Sequence, residues 1–343
     1  MKSTITTIIP TFRRPQLLEK AILSVLDQTY HGFQVCVYDN ASGDETEAIV
    51  RNLMKRDSRI TYYRHPENIG MMANYEFALS KVDTPFFCLL SDDDYFLPSF
   101  FETALQGFEQ HPDVVFSACG VKAIDEEGRL ISDPMNLWAS EGYFPPREGL
   151  EDMIERPLLP VGIIFRSELI KKVEIDCDKE IQIRWDTDYL LQIISQFPYV
   201  INKKICAMFF SHSQGYSTSF YREQKDLLEK LNGHLVATNR MKNRLLKRLR
   251  FSFESKSVVR KAFARVYKRD LLSQIDSVPI TDMLKDGPKL LKAYRKVVGV
   301  DQLFLRYSIK VWTYKNAAWA LPWIRRFLSN ARKVQNKMPN EME

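Results

Sequence analysis

The chain has 343 residues, 45% of them hydrophobic, and a net charge of +6, which suits one or two globular domains with a buried core. Its five scattered cysteines include no C-x-x-C pair, which argues against a zinc site built from thiolates and favours free thiols in a reducing compartment. The N-terminus lacks the apolar stretch of a signal peptide, and no apolar run approaches the roughly 18 residues that cross a bilayer, so we expect a cytoplasmic protein.

The first half of the chain alternates between predicted strands and predicted helices. Apolar runs rich in β-branched and aromatic residues predict strands at residues 4–10, 33–39, 60–65, 85–90 and 113–124. Apolar residues at helical spacing predict helices at residues 15–28, 45–57, 70–82 and 97–111. Strands separated by helices indicate βαβ units, and therefore an α/β fold with a mainly parallel central sheet flanked by helices.

Three consecutive acids, Asp92, Asp93 and Asp94, follow the fourth predicted strand, and Asp39 ends the second. Ligands of such sheets bind beyond the carboxyl ends of the strands. One interpretation of the triplet is a solvated turn in which one aspartate caps the helix that begins near Pro98. The other is a site for Mg²⁺ or Mn²⁺, whose remaining ligands would be the oxygens of a nucleotide diphosphate. The position at a strand end favours the metal site.

The segment PTFRR, residues 10–14, closes the first predicted strand, so its backbone is expected to run close to a base or ribose. Arg13 and Arg14 are then candidates to contact phosphate oxygens. Asp39 is a candidate to accept a hydrogen bond from a pyrimidine N–H. Each assignment has an ordinary alternative, because a pair of arginines often begins a solvated helix and an Asp-Asn pair often forms a turn.

Four segments resemble, in order, the family 2 inverting glycosyltransferases of the GT-A fold. They fall within residues 4–195 and read TIIPTFRRPQLLEKAILSVLDQTYHGFQVCVYDNASGDET, NIGMMANYEFAL, LLSDDDYFLP and WDTDYLLQI. The resemblance implies a GT-A domain, a nucleotide-sugar donor and a divalent metal. It also implies transfer to a hydroxyl of a glycan or lipid-linked acceptor, as in the synthesis of cell-surface polysaccharide.

The resemblance assigns nucleotide-contacting positions at the first strand and at the triplet. Pro10, Thr11 and Asp39 match residues that contact the nucleotide, and Asp92 matches a position near the donor ribose. Arg13 stands where the family more often has asparagine. The first acid of the family's common D-x-D-D motif is also missing, which leaves fewer carboxylates for a metal.

The resemblance also assigns the metal site and the catalytic base. Asp93 matches the metal-binding carboxylate, with Asp94 beside it, and Asp186 matches the general base. Trp185 stands where a glutamate usually precedes that base. His212 follows an apolar strand-like run. It is expected to contact the diphosphate or to complete the metal shell, and the alternative is a surface-loop histidine.

The implied reaction is a single displacement at the anomeric carbon, in which Asp186 removes the proton of the acceptor hydroxyl. Asp188 is expected either to orient its loop or to lie exposed on a helix. One alternative is a non-catalytic GT-A module that binds a nucleotide sugar or scaffolds a complex. Another is a nucleotidyltransferase, but residues 10–18 lack the glycines of a phosphate-binding loop.

The two halves of the chain differ in charge, which predicts two regions with different partners. Residues 1–221, the predicted GT-A domain, carry a net charge of −11, and residues 222–343 carry +17. The basic region is predicted to be a mostly helical C-terminal domain. We expect peripheral contact with anionic lipid at the inner face of the membrane, and no nucleic-acid partner, because the sequence contains no recognisable nucleic-acid module.

Two apolar stripes at helical spacing lie in this basic region. Either stripe is explained by a small helical core or by a surface at the depth of lipid headgroups. The stripes are Met241, Leu245 and Leu249, and Trp319, Trp323 and Phe327.

Overall fold

A central sheet organises the N-terminal part of the protein in the computed structural model, which describes residues 3–173, 184–213, 227–249 and 253–277 and a few isolated positions. The strands within these ranges are β1 (Ile5–Thr11), β2 (Phe33–Asp39), β3 (Ile60–Arg64), β4 (Phe86–Leu89), β5 (Tyr95–Phe96), β6 (Phe116–Ile124), β7 (Leu130–Ser132), β8 (Gly142–Phe144), β9 (Ile163–Arg166) and β10 (Tyr199–Phe210). The five strands predicted from the first half of the sequence are confirmed.

The helices of the same ranges are α1 (Pro15–Leu26), α2 (Thr46–Met54), α3 (Met71–Ser80), α4 (Phe100–Gln110), α5 (Leu150–Glu155), α6 (Leu169–Lys172), α7 (Trp185–Ile194), α8 (Leu227–Arg248) and α9 (Phe253–Ser277). The four helices predicted between the first strands are confirmed. Pro15 occupies the first turn of α1, where its missing N–H costs no helical hydrogen bond.

The strand order of the sheet is β3-β2-β1-β4-β9-β6-β10-β5, with β7 beside β6 and β8 beside β10. β3, β2, β1 and β4 are parallel, as predicted for βαβ units. β9 is antiparallel to both β4 and β6, while β6 and β10 are parallel to each other. β10 therefore runs in the same direction as β1, β2 and β4, and the carboxyl ends of all four strands meet at one edge of the sheet.

An apolar core cluster joins the sheet to helices α1, α2 and α4. Ile5 of β1, Ile22 of α1, Val50 of α2 and Phe100 of α4 are each fully buried in it. Burying such side chains stabilises the fold by roughly 1.5–3 kcal/mol each relative to exposing them. The helices therefore fix the sheet from which the strand ends project.

Aromatic side chains fill the space between β8, β10 and the start of α5. The rings of Phe144 and Tyr199 stack with centroids 5.0 Å apart, and Trp138 meets Phe144 edge to face at 5.8 Å. Gly149 begins α5 with φ at 71°, a conformation that favours glycine. A Cβ atom on Gly149 would overlap the Tyr199 hydroxyl and approach Trp138 at 3.1 Å.

Residues 1–223 form one compact unit together with residues 236–263, and residues 224–235 form a second unit with residues 264–343. The domain boundary expected at residue 222 stays a prediction. The structure adds that much of α8 belongs to the first unit.

Met241, Leu245 and Leu249 are each exposed by 2% or less, so packing explains this stripe. The second predicted stripe, Trp319, Trp323 and Phe327, lies outside the described residues. None of the helices in the described part of the chain is both long enough and apolar enough to cross a bilayer.

We expect Gly149→Ala to lower the free energy of unfolding more than Gly128→Ala does. Both glycines have positive φ, 71° and 75°, so both alanines carry a similar backbone strain of about 1–2 kcal/mol. Only the alanine at 149 meets neighbouring atoms, since nothing lies within 4 Å of a Cβ at 128. Overpacking adds about 1–3 kcal/mol. Urea unfolding measures both variants, and equal losses would contradict the packing argument.

Candidate active site

The acid triplet lies in a turn after β4, and β1 and α1 supply partners for its first two carboxylates. The Thr11 hydroxyl donates to Asp92 Oδ2 at 2.7 Å. The Arg14 guanidinium donates from Nη1 to Asp92 Oδ1 at 2.9 Å and to Asp93 Oδ2 at 2.7 Å. Arg14 therefore bridges two neighbouring acids that would otherwise repel each other.

The end of β10 supplies partners for the second and third acids. The Phe210 backbone N–H donates to Asp94 Oδ1 at 2.9 Å, and His212 Nε2 lies 3.0 Å from Asp93 Oδ2. Asp92 and Asp94 are only 5% and 3% exposed. This burial excludes the solvated-turn interpretation of the triplet. The residue at the N-cap of α4 is Ser99 rather than one of the three acids.

The electrostatics of the triplet follow from burial. Burial raises the pKa of Asp92 to about 6, with Asp93 adding to the effect and Arg14 opposing it. Burial, followed by repulsion from Asp93, also raises the pKa of Asp94. Burial opposes the charge of Arg14, but the carboxylates outweigh it and raise the pKa of the guanidinium. One arginine thus offsets only part of the charge of three acids, and the site favours a further cation.

Asp39 lies at the end of β2 with its carboxylate fully engaged in the protein. Its Oδ1 accepts hydrogen bonds from the Ser42 N–H at 2.9 Å and from the Ser42 hydroxyl at 2.6 Å, and its Oδ2 accepts from the Tyr62 hydroxyl at 2.6 Å. Ser42 in turn accepts from the Arg13 N–H at 2.9 Å. Asp39 therefore shapes the loop beside the site, and its contact with a base stays a prediction.

Arg13 has φ at 58°, in the left-handed region. Its Nε donates to the Ser42 carbonyl at 3.2 Å, and its guanidinium lies 4.9 Å from the centre of the Phe12 ring. Asparagine adopts this conformation more readily than arginine, which is a physical reason for the asparagine that is commoner at this position. A phosphate contact by Arg13 stays a prediction.

A cavity of about 340 Å³, which we call the amide-lined cavity, opens beyond β1 and β2. Its lining includes Pro10, Thr11, Arg14, Asn40, Asn68, Asn74, Asp92 and Asp93. The sequence interpretation missed Asn40 and Asn68. Asn40 Nδ2 donates to Asn68 Oδ1 at 2.8 Å, and Asn40 Oδ1 accepts from the Ile69 N–H at 2.9 Å. The sequence offers only a weak signal for these residues: Asn68 stands two residues before Gly70, and a glycine often marks a turn. Gly70 does have positive φ.

A second cavity of about 230 Å³, which we call the acid-lined cavity, adjoins the first. Its lining includes Tyr75, Asp93, Asp94, Pro160, Val161, Trp185, Asp186 and His212. Asp93, Ser91, Met71 and Tyr75 line both cavities. The structure therefore brings the predicted metal residues and the predicted base to one cavity and the predicted nucleotide residues Pro10, Thr11, Arg14 and Asp92 to the other.

Asp186 lies in the first turn of α7, with Trp185 beside it against the ring of Tyr75 at a centroid distance of 4.9 Å. The Thr187 N–H donates to Asp186 Oδ1 at 2.7 Å. Burial raises the pKa of Asp186 above the usual range of an aspartate, against the opposing hydrogen bonds from Thr187. A carboxylate of raised pKa that faces a cavity is a suitable general base.

Asp188 is only 2% exposed, so the expectation of an exposed helix residue is wrong. Its Oδ2 accepts from Gln192 Nε2 at 2.7 Å and pairs with Arg244 Nη1 at 3.2 Å. Burial raises the pKa of Asp188 to about 6. The pairing with Arg244 of α8 is a contact that the spacing of residues within one helix does not reveal.

The donor set at Asp93 fits a divalent cation. Asp93 offers a carboxylate and His212 an imidazole nitrogen, a pairing that suits Mn²⁺ and, with added oxygen ligands, Mg²⁺. Within the described residues, no group of three His, Cys, Asp or Glu side chains is arranged to hold a metal ion. A cation here would need ligand oxygens from outside the protein and would compete with Arg14 for Asp93 Oδ2. Asp94 stays a predicted ligand, and its Oδ1 already accepts the Phe210 amide.

Comparison with known proteins gives a family match over the N-terminal half. The model of Glycosyl transferase family 2 matches residues 6–173. A GalNAc(5)-diNAcBac-PP-undecaprenol beta-1,3-glucosyltransferase from Campylobacter jejuni is 35% identical over 130 residues, which cover 38% of this chain and 41% of that protein. An uncharacterized glycosyltransferase from Rickettsia bellii is 28% identical over 41% of this chain and 20% of its own length. The chain thus spans less than half the length of these two relatives.

Solved structures share the fold at low sequence identity. Residues 1–349 of S. aureus TarS, in complex with UDP-GlcNAc, align with a TM-score of 0.60 at 15% identity, covering 92% of each chain. The mannosyltransferase PcManGT from Pyrobaculum calidifontis, in complex with GDP-Man and Mn²⁺, aligns with a TM-score of 0.52 at 13% identity, covering 94% of this chain and 88% of that chain. Residues 6–173 therefore form a glycosyl transferase family 2 domain, and the fold is GT-A-like.

Proposed function

We propose that the protein transfers a sugar from a nucleotide-diphosphate sugar to a hydroxyl group of a glycan or lipid-linked acceptor, with inversion at the anomeric carbon. One observation carries the proposal: Asp93 and Asp186 line the same cavity, and Asp93 also lines the adjoining amide-lined cavity. The proposed cation ligand and the proposed general base are thereby adjacent to each other and to the cavity proposed for the nucleotide.

The amide-lined cavity is the proposed nucleotide site. The backbone at Pro10 and Thr11 and the amides of Asn40 and Asn68 offer neutral donors and acceptors for a base and ribose. Arg14, already beside Asp92 and Asp93, supplies positive charge where the diphosphate would reach the acid-lined cavity. In this arrangement the sugar enters the acid-lined cavity.

Asp186 is the proposed general base. It removes the proton of the acceptor hydroxyl as that oxygen attacks the anomeric carbon, and the bond from that carbon to the diphosphate oxygen breaks. Because a single displacement occurs, the configuration inverts. Asp93 and His212 would hold Mg²⁺ or Mn²⁺, which when bound neutralises negative charge on the leaving diphosphate.

The acceptor and the location are proposed from the relatives and from the charge of the chain. The Campylobacter relative is named for an undecaprenol-linked glycan acceptor. A lipid-linked acceptor would place this protein beside a membrane, and residues 222–343, with a net charge of +17, suit peripheral contact with anionic headgroups. We therefore propose a role in cell-surface polysaccharide synthesis at the inner face of the membrane.

We expect Asp186→Asn to lower kcat by about 10²–10⁴-fold, because asparagine cannot accept the proton. Binding of the nucleoside diphosphate should persist, since Asp186 does not line the amide-lined cavity. Release of nucleotide from a panel of sugar nucleotides measures turnover, and calorimetry measures binding. Asp27→Asn, at the exposed end of α1, is the matched control.

Robust turnover by Asp186→Asn would remove the assigned base. A wild-type protein that binds sugar nucleotides and releases nothing in the presence of acceptor and metal would favour the non-catalytic module instead.

We expect Asp93→Ala to abolish any enhancement of nucleotide binding by Mn²⁺ or Mg²⁺, because the proposed cation loses its carboxylate. The affinity for nucleoside diphosphate is measured with metal and with a chelator, and Asp27→Ala serves as the control. Metal-dependent affinity that survives in Asp93→Ala would place the cation elsewhere.

We expect kcat/KM to fall as the pH decreases through about 6, the pKa to which burial raises Asp92. The pKa of Asp186 is raised as well, and both groups must be ionised in the free enzyme, whose titrations kcat/KM reports. The loss therefore begins well above roughly pH 4, where an ordinary aspartate titrates. A profile that stays flat down to roughly pH 4 would contradict the proposed roles.

A further inference from the structure

Helix α7, which carries Asp186 in its first turn, is joined to α8 at two points one helical turn apart. Asp188 pairs with Arg244 at 3.2 Å. One turn further, Arg248 Nη2 donates to Gln192 Oε1 at 2.6 Å. Gln192 also donates to Asp188 Oδ2 at 2.7 Å, so the two points belong to one hydrogen-bonded network.

Apolar burial accompanies this network. Leu245 and Leu249, which follow Arg244 and Arg248 directly in sequence, are exposed by only 2% and 1%. The same compact unit contains both helices at these positions. Asp188 is 2% exposed, and a buried carboxylate that loses its cation is strongly destabilised. The contact therefore constrains where α7 lies, beyond what its own backbone hydrogen bonds provide.

From these contacts we infer that Arg244 and Arg248 are positioning residues for Asp186, acting through Asp188 and Gln192. This inference rests on the proposed function. Asp188 is two residues after Asp186, so a shift of α7 that follows loss of Arg244 moves the base relative to Asp93, which lines the same cavity. The functional unit consequently extends into α8, and these two arginines serve the active site as well as the basic character of the C-terminal half.

The test compares Arg244→Gln with Lys247→Gln. Lys247 lies on the same helix and is exposed, so its substitution removes one positive charge without touching α7 in the described structure. With a short soluble acceptor, we expect Arg244→Gln to lower kcat by about 10–100-fold, the cost of a misplaced catalytic group. The KM for the donor and the affinity for nucleoside diphosphate should stay unchanged, because neither α7 nor α8 lines the amide-lined cavity. Lys247→Gln should match the wild type.

Three further variants separate positioning from general support of the fold. Arg244→Lys, which keeps the charge, should recover part of kcat. Asp188→Asn should lower kcat in the same way as Arg244→Gln, and the double variant should be no worse than either single variant, because both act through one pair. The stoichiometry of nucleotide binding gives the fraction of molecules that are folded. Dividing turnover by that fraction expresses kcat per binding site, so a loss of folded protein does not appear as a loss of kcat. If Arg244→Gln fails to fold, Asp188→Asn and Arg244→Lys carry the test.

Equal kcat per binding site in Arg244→Gln and Lys247→Gln would overturn the inference, as would losses that add independently in the double variant. The proposed function fails separately. Suppose that the wild type transfers sugar, that Asp186→Asn loses transfer and that Arg244→Gln behaves like the control. That result would overturn the inference and leave the proposed function in place. A wild type with no transfer to any acceptor would remove both.

Discussion

The Arg14 guanidinium between Asp92 and Asp93 is the interaction on which the site depends. Three adjacent acids at a strand end repel one another, and burial makes each charge costlier because water no longer screens it. The Arg14 guanidinium lies 2.9 Å from Asp92 and 2.7 Å from Asp93, and it therefore stabilises the turn after β4 when no ligand is bound. One guanidinium cannot offset the charge of three acids, so the cluster stays short of positive charge.

The shortage of positive charge at the triplet is the reason why we expect the site to bind a cation. The triplet is contacted by Thr11 at the end of β1 and by Arg14 just before α1. It is also contacted by Phe210 at the end of β10 and by His212, two residues later. Separate parts of the sheet edge are thus tied to one acidic cluster, which forms the wall between the two cavities. The proposed ligand, a diphosphate bound with a cation, carries charges of both signs, which would match Arg14 and the acids of this cluster.

The positive charges of α8 occupy two kinds of position, some in contact with α7 and some at the surface. Arg244 and Arg248 contact Asp188 and Gln192 of α7, where they stabilise a buried carboxylate close to the proposed base. Lys247 of the same helix is exposed instead. A net charge computed over a segment sums both kinds, and only their contacts distinguish them.

The secondary structure of the first half and most of the candidate site residues could be predicted from the sequence, because the patterns that indicate them are local. Periodicity and turn residues located β1 to β4, β6 and the first four helices, and with them the acids at the end of β2 and after β4. The order of the motifs indicated the family. The tertiary structure decided the rest. It placed β9 antiparallel between β4 and β6, and it paired Arg14 with Asp92 and Asp93. It also bonded Asp39 to Ser42 and Tyr62, and paired Asp188 with Arg244 of α8. These outcomes depend on contacts between residues distant in the chain, and the spacing of residues within one element carries no information about the partner that an element acquires on folding.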